Sequence, residues 1–71
     1  MREFNLEEAE YGKDVCTRNG LDAKITSFDN LGDYPINAII EYPNRNTCLG
    51  FNNEGQYVNG IESKYDLMMK E

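Results

Sequence analysis

The chain has 71 residues, with 13 acidic and 7 basic side chains, a formal charge of −6 and no histidine. That length makes one small domain, in which folding hides only about 60% of the unfolded surface. The acidic balance argues against a phosphate-binding face, and the missing histidine excludes His-ligated metals and imidazole acid–base chemistry.

At the N-terminus, Met1 to Asn5 shows no signal-peptide hydrophobic region. No stretch approaches the ~18 apolar residues of a membrane helix. A cytoplasmic location is the expectation. A helix is predicted over about 5–11. Asn5 supplies the cap, with Glu8 three residues on, and Glu7 and Glu8 sit where the helix dipole favours negative charge. Gly12 provides the stop. Two turns are too short to stand alone, so the helix must dock through Leu6 and Phe4 or Tyr11.

Two strand-like runs follow, about 14–18 and 21–28, separated by Asn19-Gly20. Asn-Gly between such runs signals a two-residue hairpin loop. That register sets Cys16 against Ala23 and places Cys16 on the apolar face with Leu21, Ala23 and Ile25. Asp29 to Asp33 is a polar connector rich in turn formers.

The centre of the chain is Tyr34 to Tyr57. In a strand alternate side chains share a face. Tyr34, Ile36, Ala38, Ile40 and Tyr42 therefore form one apolar row. With strands over about 35–42 and 47–52 and Pro43 to Asn46 as the loop, Ile40 faces Leu49 and Ala38 faces Phe51. Asn53-Glu54-Gly55 is then a three-residue hairpin loop leading into a strand over about 56–59, with Tyr57 beside Phe51. A one-residue slip would spoil both matches. Residues 64–69 read as a short closing strand or turn that packs Leu67 on the core.

The fold class that follows is all-β with minor helix: about five antiparallel strands as a curved sheet or small SH3-like barrel, after a short N-terminal helix. A barrel limits exposed sheet edges. The edge formed by Leu21 to Phe28, or by the last strand, is the expected place for weak homodimer pairing; otherwise the chain is a monomer.

No catalytic constellation emerges among the 13 carboxylates. Cys16 and Cys48 have neither CxxC spacing nor histidine, so they make no zinc site. Cys48 lies on the parity opposite to Leu49 and Phe51, which points it away from the core. Two thiols on opposite sides predict no internal disulfide, and free thiols fit a reducing compartment. Arg18 is the one cation close to Cys16, and a buried cysteine is ordinarily inert packing. The expectation is no enzyme, no cofactor and no metal.

Tyrosine is the enriched type. Tyr34, Tyr42, Tyr57 and Tyr65 are the candidate partner-binding residues, because a ring with a polar tip suits protein interfaces. The bland reading is that they cap the ends of a core too small to hide them.

The ordered motifs Phe4-Asn5-Leu6-Glu7-Glu8-Ala9, Val15-Cys16-Thr17-Arg18-Asn19-Gly20, Tyr34-Pro35-Ile36, Asn53-Glu54-Gly55-Gln56-Tyr57 and Glu62-Ser63-Lys64-Tyr65-Asp66-Leu67 span nearly the whole chain. Together they resemble a group of small uncharacterised proteins of phages, prophages and gut Bacteroides-type genomes. That group commonly has aspartate where this chain has Asn19, a swap that keeps the turn chemistry. The resemblance implies a mobile-element origin and transfers no site residue. The expected function is a non-enzymatic protein-interaction module; the alternative is a nucleic-acid-associated accessory with an SH3-like barrel.

Overall fold

A computed structural model describes residues 1–70. Its elements are β1 (Arg2–Glu3), α1 (Leu6–Glu10), β2 (Val15–Thr17), β3 (Asp22–Ser27), β4 (Ile36–Tyr42), β5 (Arg45–Phe51) and β6 (Leu67–Met69). Six strands form one antiparallel sheet in the order β1-β6-β2-β3-β4-β5. The fold is all-β with one short helix, as the alternating patterns require. The sheet does not close, so the curved open sheet forms and the barrel does not.

The helix starts as its cap predicts. The Asn5 side chain accepts the Glu8 N–H at 2.9 Å. The glutamate side chain turns instead to Arg2, so the reciprocal half of the capping box is absent. Ala9 is buried, and Phe4 and Leu6 pack against the core. Tyr11 points to solvent and takes no part in docking.

The central row behaves as the period-two pattern requires. Ile36, Ala38 and Ile40 are each fully buried. They join Val15, Phe51, Leu67, Met69 and Ala9 in one cluster. The β4–β5 loop is shorter than expected. Pro43 and Asn44 make the turn alone, and Tyr42 pairs with Arg45. Ile40 therefore faces Thr47, Ala38 faces Leu49 and Ile36 faces Phe51. The shift from the predicted register is two residues, which preserves every side chain's face. Pro43 holds φ negative, and among the described residues no non-glycine has positive φ, so the turn is of the type that proline favours at its second position.

The first hairpin departs by one residue, and there the faces do change. Val15 pairs with Ala23, and Cys16 with Asp22. The loop is Arg18-Asn19-Gly20, closed by Thr17 N–H to Leu21 C=O at 2.8 Å. The two-residue loop requires positive φ at both central positions, and only Gly20 has it, at +90°. Arg18 and Asn19 are drawn elsewhere: their N–H groups donate to the Asp66 and Lys64 carbonyls at 2.8 and 3.0 Å. Val15, not Cys16, consequently joins the core face.

Three further expectations are corrected. Residues 56–59 are not a strand, because Tyr57 N–H donates to the Asp66 carboxylate at 3.0 Å instead of to a neighbouring strand. Only an isolated bridge links Val58 to Ile61. Residues 67–69 form a strand, and it lies inside the sheet between β1 and β2. The edges are β1 and β5; neither β3 nor β6 is one. Both cysteines also lie on the same side of the sheet, since the pairings Cys16–Asp22 and Lys24–Ile39–Cys48 share a parity. They are free thiols and sit three strand spacings apart, about 14 Å. Distance, not opposite orientation, keeps them unlinked.

Candidate functional site

Two loops meet at the end of the sheet where β4 begins and β5 ends. One is the connector through Leu31 to Pro35, closed by Asn30 N–H to Pro35 C=O at 3.1 Å. The other runs from Asn52 to Asp66 and returns the chain from β5 to β6. The Tyr34 hydroxyl bridges them by accepting the Asn59 N–H at 3.1 Å.

The second loop has little regular structure, so its backbone polar groups need side-chain partners. Two buried side chains supply them. The Asn52 carbonyl oxygen accepts the N–H groups of Glu54 and Gln56 at 2.9 and 2.8 Å. Its amide donates to Gln56 Oε1 and Asn59 Oδ1 at 2.9 and 3.0 Å. Asp66 accepts from Tyr57 N–H at 3.0 Å and from Ser63 N–H at 2.9 Å. Arg18 adds contacts to the Asp66 carboxylate at 3.3 Å and to the Ser63 carbonyl at 3.2 Å. Residue types common in turns thus tie the loop from within.

Gly55 completes the turn. Its φ is +80°, and a Cβ there would lie 2.7 Å from Phe4 Cγ and 2.8 Å from Phe4 Cβ. Gly55→Ala must both strain the backbone and displace Phe4. We expect a loss of about 2 kcal/mol, read as a lowered urea midpoint with unchanged slope. A wild-type midpoint would refute the close approach.

The four candidate tyrosines do not form one patch. Tyr57 lies between Phe51 and Tyr65, with ring centroids 6.1 and 5.6 Å away. This half-buried column extends the core outward. Tyr42 is at the far end of the hairpin, about 20 Å off by strand rise, where Arg45 stacks over its ring at 5.3 Å. Only Tyr34 reaches the loop surface, at 38% exposure.

The loops instead display residues that the sequence reading did not single out. Leu31 is 99% exposed, Ile61 59% and Val58 39%. Val58 and Ile61 are paired to each other, beside Asn59 and hence beside Tyr34. The available signal was an isolated apolar residue set among turn formers: Leu31 between Asn30 and Gly32, and Ile61 after Asn59-Gly60.

Other chemistry is poorly served. A shallow depression of about 490 Å³ lies between Phe4, Arg18, Glu54, Glu62 and Met68. The arginine is its one cation, and that group is already engaged with Ser63 and Asp66. Burial raises the Cys16 thiol above its ordinary value, more than the opposing pull of the N-terminus and Lys70, which disfavours the thiolate. Arg18 turns to Asp66. Among the described residues no group of histidine, cysteine or carboxylate side chains is placed to hold a metal. No helix among them is long and apolar enough to cross a membrane.

A family model described as Haemophilus phage HP1 protein YO09 matches the chain over residues 1–71. No curated protein and no solved structure matches it.

Proposed function

Because the chain belongs to the family of the Haemophilus phage HP1 protein YO09, we propose that this phage-type protein is a non-enzymatic interaction module that docks a protein partner. The observation that carries this reading is the display of Leu31, Tyr34, Val58 and Ile61 at one end of the sheet. Apolar side chains exposed on two loops that meet through Tyr34 and Asn59 offer a partner area that favours removal from water. Asn52 and Asp66 hold the second loop's backbone in place, so docking there orders little additional chain and incurs little entropy cost. Leu31 and Ile61 supply apolar area, and Tyr34 adds a ring with a polar tip.

The test uses Leu31→Asp with Ile61→Asp. Both positions face solvent, so thermal stability should change by no more than about 0.5 kcal/mol. Affinity capture from host cells carrying the phage element should enrich a specific protein with the wild type. Capture should fall about tenfold or more with the double variant. Equal recovery with both proteins, or no enriched protein with the wild type, would sink the proposal.

A nucleic-acid-associated role draws no support from these observations. The formal charge is −6, and the sheet is open, with no barrel groove. Flat anisotropy with DNA and RNA at low salt is the expected outcome.

A further inference from the structure

The two edges of the sheet are unlike. β1 is two residues long and carries the charges of Arg2 and Glu3, which are ordinary protections against unwanted pairing. β5 has seven residues and no proline, and Arg45 is its one charged side chain. It hydrogen-bonds to β4 on one side, and among the described residues no strand pairs with it on the other.

The phase of that free edge follows from the turn. Tyr42 and Arg45 close a two-residue loop and so form a hydrogen-bonded pair. Alternation makes Thr47, Leu49 and Phe51 the residues bonded to β4. It aims the N–H and C=O groups of Asn46, Cys48 and Gly50 off the sheet. Among the described residues no hydrogen bond reaches these groups.

We propose that β5 is a self-association edge: two copies of this chain join β5 to β5 in antiparallel register, with a two-fold axis beside Cys48. Asn46, Cys48 and Gly50 are evenly spaced about the central residue. One rotation therefore sets Cys48 against Cys48 and Asn46 against Gly50 of the second copy, twice. All three are hydrogen-bonding positions, so the outward groups of both strands are satisfied together. On the core face the half-buried Leu49 meets Thr47 of the other copy, which carries the apolar face across the junction.

Local charge at this edge allows a second copy as the occupant, and the self-complementary two-fold register argues for it. The chain is strongly acidic, yet β5 contains no carboxylate. In this register Arg45 lies opposite Phe51, not opposite another arginine, so no two like charges are directly opposed. A closed two-fold interface also leaves only the short, charged β1 edges outside, which stops further growth. This edge meets the Leu31–Ile61 end at Gly50, beside Tyr34, but it pairs through backbone groups and does not depend on the partner proposed above.

Sedimentation of the whole chain in reducing buffer, up to about 1 mM, should show a concentration-dependent change from one chain to two. Cys48→Pro removes the two central outward N–H groups, and proline is tolerated on an edge strand where its N–H faces solvent. It should raise the dissociation constant about tenfold or more. Cys48→Glu keeps every backbone group but opposes two carboxylates at the axis; it should weaken pairing several-fold with wild-type circular dichroism. Oxidised glutathione supplies a second readout. Opposed Cα atoms about 5.5 Å apart suit a disulfide. Two Cys48 thiols and one oxidised glutathione give one intermolecular S–S bond and two reduced glutathione molecules. Crosslinking should persist in Cys16→Ala and vanish in Cys48→Ser. A single-chain mass at every concentration would overturn the proposal. So would a dimer that both Cys48→Pro and Cys48→Glu leave unchanged.

Discussion

Ile40→Ala is expected to remove about 2–5 kcal/mol of stability, most of what a core of this size supplies, about 3–5 kcal/mol in net terms. Ile40 is fully buried in β4, between Ala23 of β3 and Thr47 of β5. The backbone on both sides is fixed by sheet hydrogen bonds, so the cavity left by the missing carbons cannot collapse. Lost apolar transfer and lost packing then add. Urea unfolding followed by far-ultraviolet circular dichroism should show the midpoint driven towards zero denaturant, with a large unfolded fraction in water. A variant that unfolds at the wild-type midpoint would mean that Ile40 does not sit in the interior.

Asp66→Ala should cost about 3 kcal/mol and should act differently. The Asp66 side chain is 4% exposed and accepts two backbone N–H groups, from Tyr57 and Ser63. Removing it leaves both amides without their partner, at about 1–3 kcal/mol each, towards the low end where water can reach them. The Arg18 side chain is 37% exposed, so its ion pair adds little. Because the carboxylate ties the loop between β5 and β6, the loss should be local first. Amide exchange at Tyr57 and Ser63 should accelerate well beyond that of Ile36 to Ile40. The Leu31–Ile61 surface should lose its geometry before the sheet melts. Uniform acceleration across β4 and the loop would show that Asp66 supports the whole fold and does not act chiefly as a clasp.

Parts of the candidate surface were visible in the chain and parts were not. Tyr34 was visible because tyrosine is enriched and the residue heads an apolar row. Tyr57 and Tyr65 carry the same composition signal, yet Tyr57 packs on Phe51 and Tyr65 on Tyr57, and both are half-buried. Burial of a ring depends on which loop folds over it, and residue type does not report that. Leu31 and Ile61 were passed over because single apolar residues in polar loops are common on protein surfaces. Their meaning comes from sharing one end of the sheet.

The division between local and long-range information is clearest in the two hairpins. At residues 36–51 the predicted loop was wrong by two residues of register, and each side chain still faced its proper side; Tyr34, predicted in the same row, lies outside β4 and against Gly50. Period-two alternation encodes the face directly, and an even slip leaves it intact. At Asn19-Gly20 an odd slip moved Val15 into the core face and Cys16 out of it. The cause lies some 45 residues away, where the Asp66 and Lys64 carbonyls capture the Arg18 and Asn19 N–H groups. Local chemistry alone therefore determined the helix cap, the buried row of β4 and the all-β class, since these follow from neighbours along the chain. Strand order, the insertion of β6 between β1 and β2, the open β5 edge and the exposed loop end were decided only in three dimensions. Each depends on which distant backbone groups are left free to pair, and no short stretch of sequence contains that information.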